Sequence, residues 1–182
     1  MAEDSPALSA RAHRGEAAAL VAVQSALADR PGVLAGARAL SHFGEHSIGW
    51  VAVAALGALL QPARRPAWLA VGVGAFLAHA AAVLIKRIVR RERPHHPAVA
   101  VNVGTPSRLS FPSAHATSTT AASMLLARVT GLPLPLLLVP PMALSRLVLG
   151  VHYPTDVLTG VMVGAAVAKG VGAVADLAEG VS

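Results

Sequence analysis

The chain has 182 residues, of which 54% are hydrophobic and 13% are charged, and it contains no cysteine. Soluble domains usually carry about 25% charged residues, so this composition excludes an ordinary soluble domain and favours a membrane protein. The lack of cysteine excludes disulfides and thiolate metal sites. The net charge of +6 is compatible with nucleic acid, anionic lipid or an anionic substrate as the partner.

The amino-terminal part of the chain differs from the rest. Residues 1–14 are polar, and we expect them to form a disordered tail. Residues 15–40 hold an apolar run that breaks between Asp29 and Gly32 and is too short to cross a bilayer, so we expect an interfacial helix there. Glu16 opens this run, which argues against a signal peptide. Residues 15–182 are expected to form a single domain.

The remainder of the chain is dominated by long stretches without Asp, Glu, Lys or Arg. Because a spanning helix needs about 20 mostly apolar residues, these stretches predict five spanning helices. The expected positions are near residues 45–61, 66–91, 113–129, 133–150 and 155–176. The predicted fold class is therefore an all-α integral membrane bundle. Gly160 and Gly164, small residues four apart, predict close helix packing within the chain.

Cations are concentrated in one segment that begins with "KRIVRRERP". They are interleaved with Pro and His rather than with aromatic residues, which favours a phosphorylated lipid over nucleic acid as the partner. At 3.6 residues per turn, Lys86, Arg90 and Arg93 share one helix face, which His79 continues deeper into the membrane. The other two arginines of the segment are interpreted as the charged flank of a spanning helix: Arg87 and Arg91.

Two further polar segments, "SRLSFPSAH" and "SRLVLGVHYPTD", lie at predicted helix ends. The first places the Ser113 amide and His115 at a helix start, where free backbone N–H groups attract phosphate. In the second, Arg146 closes one helix, and Asp156 follows His152 by four residues across a turn. A carboxylate so placed can orient one nitrogen of a nucleophilic or basic histidine. An incidental histidine at a capped helix and a buried structural ion pair are the alternatives.

The predicted topology brings these segments to one membrane face. A single rim then collects Lys86, Arg93, the Ser113 amide, His115, Arg146, His152 and Asp156. Several cations with two histidines and a carboxylate are what a phosphomonoester hydrolase without a metal or other cofactor requires. An anion transporter or channel is an alternative, as is a metalloenzyme with His115, His152 and Asp156 as ligands. Neighbouring cations would repel a divalent metal, which argues against the latter.

In order, the three segments resemble the K-x6-RP, PS-x-H and SR-x5-H-x3-D motifs of the phosphatidic acid phosphatase type 2 (PAP2) superfamily. The resemblance covers about residues 80–160. Ala114 stands where the second motif usually has Gly, and many members have six spanning helices rather than five. The resemblance implies a helical membrane bundle and a lipid phosphatase of the bacterial plasma membrane with several spanning helices.

The resemblance also implies a role for each residue of the rim. His152 would attack phosphorus and form a phosphohistidine, with Asp156 holding its ring. His115 would protonate the leaving oxygen and then activate water. The phosphate oxygens would be bound by Lys86, Arg93, Arg146 and the Ser113 amide, with Arg90 and His79 as secondary candidates.

Two other segments bear on the substrate. "LSHFGEHSIGW" and "NVGTPSRLSFPSAHATSTT" resemble a branch of the superfamily that dephosphorylates decaprenyl-linked phosphoribose. This implies a polyprenyl phosphate substrate, membrane lipids as surroundings and a place in the supply of cell-wall arabinan precursors. Phosphatidic acid, phosphatidylglycerol phosphate and undecaprenyl diphosphate stay open as substrates. The membrane face of the site and assembly into a homo-oligomer stay open too.

Overall fold

The computed structural model describes the backbone of residues 5–180 and the side chains of residues 15–178. Within that range the chain forms α1 (Ser5–Leu27), α2 (Val33–Gly44), α3 (Ile48–Leu60), α4 (Arg65–Val89), α5 (Ala114–Thr130), α6 (Leu134–Val148) and α7 (Pro154–Gly180). Residues 5–180 contain no strand, only an isolated bridge between Glu92 and Leu109. The predicted all-α bundle is confirmed.

Three stretches are long and apolar enough to cross a membrane: Val33–Leu60, Pro62–Val89 and Pro154–Ala178. Large apolar side chains such as Leu59, Phe76 and Met162 are exposed on them, as expected of helices that face lipid. All five predicted spanning helices are present as helices. The first span starts earlier than expected, because α2 continues into α3 through the turn Glu45–Ser47.

The amino-terminal helix packs against the rest of the chain. α1 begins at Ser5, and residues 1–4 lie outside the described residues. Leu20 is fully buried, and Gln24 donates to the carbonyl oxygens of Ala100 (2.7 Å) and Val148 (3.0 Å). Because these contacts reach the α4–α5 connection and the end of α6, α1 is part of the bundle.

The centre of the bundle is α5, which is almost entirely buried although it is rich in Ser and Thr. Most of these hydroxyls donate to nearby carbonyls of the same segment, as Thr117 does to Ser113 (2.8 Å), and Thr119 accepts from Trp50 Nε1, so their polar groups are satisfied in apolar surroundings. α7 packs closely against α5. A Cβ at Gly164 would lie 2.3 Å from the Thr117 carbonyl oxygen, and one at Gly160 would lie 2.7 Å from that of Ser113. The predicted packing role of both glycines is confirmed.

The helix order brings four helix ends together. α4 ends and α5 begins at one end of the bundle, and α6 returns to that end before α7 leaves it. The carboxyl end of α2 reaches the same region, since Ser41 contacts both α5 and α6. The polar segments of the sequence therefore meet at one end of an otherwise apolar bundle.

Candidate active site

A cavity of about 380 Å³ lies where these helix ends meet. Its wall contains most of the residues predicted from the sequence: Lys86, Arg93, His115, Arg146 and His152. The loop of residues 103–107, the end of α2, the turn that follows it and part of α4 also contribute to the lining. The structure thus brings the three sequence segments together, as the predicted topology required.

His152 lies in the connection between α6 and α7 and is 3% exposed. Its Nδ1 is 3.7 Å from Oδ2 of the fully buried Asp156, beyond hydrogen-bond distance. The same carboxylate oxygen accepts a hydrogen bond from the Tyr153 amide at 2.7 Å, which fixes its position. The other ring nitrogen, Nε2, lies 3.3 Å from Arg93 Nη1. Nε2 is therefore the nitrogen next to the cavity cations, and Asp156 lies behind the ring.

Burial lowers the pKa of His152 well below its usual 6.5, and the nearby cations Arg93, Lys86 and Arg146 lower it further. The imidazole is consequently neutral at neutral pH, the form in which a ring nitrogen has a free electron pair. Burial also lowers the pKa of Arg93, to about 10, which leaves its guanidinium charged at neutral pH. The site combines a neutral imidazole with permanent positive charge.

Arg146 and His115 are linked through Ser41 of α2. Arg146 is 2% exposed, and its Nη1 donates to the Ser41 hydroxyl at 3.1 Å. Its Nη2 has no hydrogen-bond partner within residues 15–178. His115 Nε2 donates to the Ser41 carbonyl at 2.9 Å, since a carbonyl can only accept, so Nδ1 remains for proton exchange. Sequence reasoning did not single out Ser41, although it quoted the segment that contains it.

Lys86 is 7% exposed and has its three donors engaged by backbone carbonyls. Its Nζ donates to Pro112 (2.7 Å), Ser110 (2.8 Å) and Leu109 (3.3 Å). These carbonyls belong to the loop that leads into α5. Lys86 therefore holds this loop in place and contributes a positive charge to the cavity.

Two predicted binding residues lie elsewhere. The Ser113 amide donates to the Asp156 carbonyl at 2.9 Å and does not line the cavity; Ala114, the first residue of α5, does. Arg90 has a left-handed backbone (φ 55°) that ends α4, so the helical face does not extend to it, and its side chain is exposed. Arg87, which was placed off the face, lines the cavity, as does His79.

Arg91 is a second partner of Asp156, and its interpretation as a membrane flank is wrong. Its Nη1 donates to Asp156 Oδ1 at 3.0 Å and to the Thr155 hydroxyl at 2.7 Å, and its Cζ lies 4.1 Å above the Tyr153 ring. Glu16 of α1 pairs with Arg91 and accepts from the Thr155 hydroxyl. α1 is thereby joined to the carboxylate behind His152.

Comparison with known proteins agrees with this geometry. Residues 66–176 match the family model described as the PAP2 superfamily. The chain belongs to the PAP2 superfamily. Decaprenylphosphoryl-5-phosphoribose phosphatase of Mycolicibacterium smegmatis is 82% identical over 149 residues, which cover 82% of this chain and 83% of that protein. The protein of the same name from Mycobacterium tuberculosis is 68% identical over 170 residues, covering 93% and 94%.

A solved PAP2 structure shows the same fold. It is a transmembrane PAP2-type phosphatidylglycerolphosphate phosphatase from Bacillus subtilis, with a TM-score of 0.69 and 22% identity over 87% of this chain and 85% of that chain. The predicted resemblance to PAP2 phosphatases is confirmed, and this PAP2 chain is a phosphoric monoester hydrolase.

Proposed function

We propose that this PAP2 phosphatase acts in the bacterial plasma membrane and hydrolyses decaprenylphosphoryl-5-phosphoribose to decaprenylphosphoryl ribose and inorganic phosphate. The substrate assignment is supported by relatives of that name at 82% and 68% identity. The chemistry is supported by the cavity, which puts two histidines beside the buried cations Lys86 and Arg146 and the half-buried Arg93. The lipid tail would stay in the membrane while the phosphate enters at the polar end of the bundle.

The first step transfers the phosphoryl group to His152. The Nε2 electron pair attacks phosphorus, the bond from phosphorus to the ribose 5-oxygen breaks, and His115 gives the Nδ1 proton to that oxygen. Phosphorylated His152 carries a positive charge, which the Asp156 carboxylate offsets from behind the ring. Arg146 and Arg93 offset the charge that grows on the phosphoryl oxygens, with Lys86 adding its field.

The second step releases phosphate with the same groups. His115, now neutral, takes a proton from water as the water oxygen attacks phosphorus. The P–N bond breaks and its electron pair returns to His152 Nε2. This step leaves a proton on His115 Nδ1, as the next turnover requires, while the Ser41 carbonyl, 2.9 Å from Nε2, fixes the orientation of the ring.

The single observation that carries the phosphatase mechanism is that His152 and His115, which come from different segments of the chain, line the same cationic cavity. A transporter would need the cations but would not need two oriented histidines with a carboxylate behind one of them.

The test is an assay of the full chain purified in detergent, with decaprenylphosphoryl-5-phosphoribose, phosphatidic acid, phosphatidylglycerol phosphate and undecaprenyl diphosphate offered separately. Released phosphate is measured, with His152→Ala as the inactive control. The expected result is the highest kcat/KM for the decaprenyl substrate, unaffected by a chelator. A preference for another lipid would refute the substrate assignment, and no release from any would refute the phosphatase mechanism.

A further inference from the structure

The cavity has a second polar wall that the phosphoryl chemistry does not use. It is formed by the turn after α2 and by α4, and it consists of Glu45, His46 and His79. Within the described part of the chain, Glu45 is the only carboxylate that lines the cavity, and its side chain is 45% exposed. These three residues are called the α2 wall below.

The α2 wall adjoins His115. A Cβ at Gly44 would lie 2.7 Å from His115 Cδ2, so the backbone that leads into Glu45 is in direct contact with the His115 ring. In the proposed reaction the alcohol oxygen leaves towards His115. The alcohol half of the substrate must therefore lie on the side of the cavity where the α2 wall stands.

The chemistry of the α2 wall suits hydroxyl groups rather than phosphate. A carboxylate near a phosphate site weakens anion binding by repulsion, whereas it accepts hydrogen bonds from hydroxyls. His79 Nδ1 is buried and has no hydrogen-bond partner within residues 15–178, and its ring centroid lies 5.7 Å from that of His46. A neutral imidazole offers one donor and one acceptor, so the wall presents both.

The backbone of the α2 wall is strained at the same place. His46 (φ 50°, ψ 22°) and Ser47 (φ 57°, ψ 14°) are consecutive left-handed residues, and neither is glycine. The turn is held by the fully buried Ser47, whose hydroxyl donates to the His46 carbonyl at 2.6 Å. Such strain persists where the surroundings enforce it and is concentrated at functional sites.

We propose that Glu45, with His46 and His79, binds the 2- and 3-hydroxyls of the pentose, so that the cavity selects a polyhydroxylated sugar phosphate over phosphates without such hydroxyls. The selection acts on binding of the alcohol half and leaves the phosphoryl chemistry to the other wall. It rests on the proposed function, since it requires a sugar next to His115.

The test compares Glu45→Gln with the unchanged protein on decaprenylphosphoryl-5-phosphoribose and on p-nitrophenyl phosphate. With the sugar substrate KM should rise about tenfold, as for loss of one charge-assisted hydrogen bond at a partly exposed site. With the aryl phosphate KM should fall, because a negative charge near the anion site is gone. Glu92→Gln is the control: it makes the same charge change at an exposed carboxylate outside the cavity lining and should alter neither KM.

A fall in KM for both substrates would overturn the inference, since Glu45 would then act only through its charge. No change in either would also overturn it. If the unchanged protein hydrolyses p-nitrophenyl phosphate but not the decaprenyl substrate, the substrate assignment fails and this inference fails with it. If Glu45→Gln alone behaves contrary to expectation, the substrate assignment stands and only the role of the α2 wall is lost.

Discussion

Replacing His115 or His152 with alanine removes one imidazole from the cavity in each case, and the two variants should differ in how a good leaving group affects them. His152→Ala has no atom to accept the phosphoryl group, so it should be inactive on every substrate. His115→Ala keeps the nucleophile, the carboxylate behind it and the cations. It loses only the group that exchanges protons with the leaving oxygen and with water.

The expected size of the His115 effect follows from its placement. Its Nε2 is fixed by the Ser41 carbonyl at 2.9 Å, so Nδ1 is held in one orientation for proton transfer. Loss of a positioned acid–base group lowers rates by roughly 10²–10⁴, or about 3–5 kcal/mol in the barrier. A nitrophenolate leaves without a proton, so p-nitrophenyl phosphate should restore the first step in His115→Ala. The second step should stay slow because water still lacks its base.

The assay is rapid mixing of each variant with p-nitrophenyl phosphate, followed by intact mass spectrometry at alkaline pH. His115→Ala should release a burst of nitrophenol and accumulate an acid-labile phosphate on His152, whereas His152→Ala should show neither. Phosphate on a residue other than His152, or rescue of only the His152 variant, would refute the assigned roles.

Three further perturbations test other parts of the structure. Arg146→Lys should lower kcat about 10²–10³-fold, because a point charge cannot replace forked donors at an anion site; equal turnover would exclude that role. Gly164→Ala should lower the Tm in detergent, since its Cβ would lie 2.3 Å from the Thr117 carbonyl oxygen and overpacking costs about 1–3 kcal/mol. Gly170→Ala is the control, because a Cβ at that position would have no atom within 4 Å, and it should raise the Tm. Equal changes in Tm for the two variants would contradict the close packing at Gly164. The pKa of His152 in the folded chain lies well below 6.5. As the pH falls below 6.5, the unfolded chain therefore binds a proton at this residue that the folded chain does not bind. The Tm should therefore decrease as the pH falls over that range, and His152→Asn should reduce the slope of Tm against pH. An unchanged slope would contradict a buried neutral ring at His152.

The sequence was sufficient to predict the bundle and most of the cavity because both depend on simple patterns. Uncharged stretches predict helices in lipid, and motif residues at helix ends must meet when successive helices reverse direction. The prediction made from helix periodicity is wrong beyond Val89, where α4 ends. Since Arg90 adopts a left-handed conformation, the face that holds Lys86 does not continue, and Arg91 turns towards Asp156 instead.

The residues that were missed act through contacts between distant parts of the chain. Ser41 orients His115 through a backbone carbonyl, which every residue has, and its hydroxyl accepts from Arg146, 105 residues away. Glu16 did leave a signal, because a carboxylate at the start of an apolar run is costly to bury without a partner. Its partner, Arg91, lies 75 residues away, and only the docking of α1 brings the two together.

Lys86 and Arg146 differ in how they can act on a phosphate because their hydrogen bonds differ. Lys86 has three donors and three carbonyl partners, so a phosphate could gain a hydrogen bond from it only by releasing the loop before α5. Arg146 is different, because Nη1 and Nε are held by serine hydroxyls while Nη2 has no partner among residues 15–178. A guanidinium that is fixed at Nε and Nη1 and keeps a donor at Nη2 is preorganised to bind an anion. Such a donor needs no rearrangement as charge develops on the anion. We therefore propose that Arg146 binds the phosphate by direct hydrogen bonds, whereas Lys86 acts by its charge and by holding the loop that leads into α5, the helix of His115.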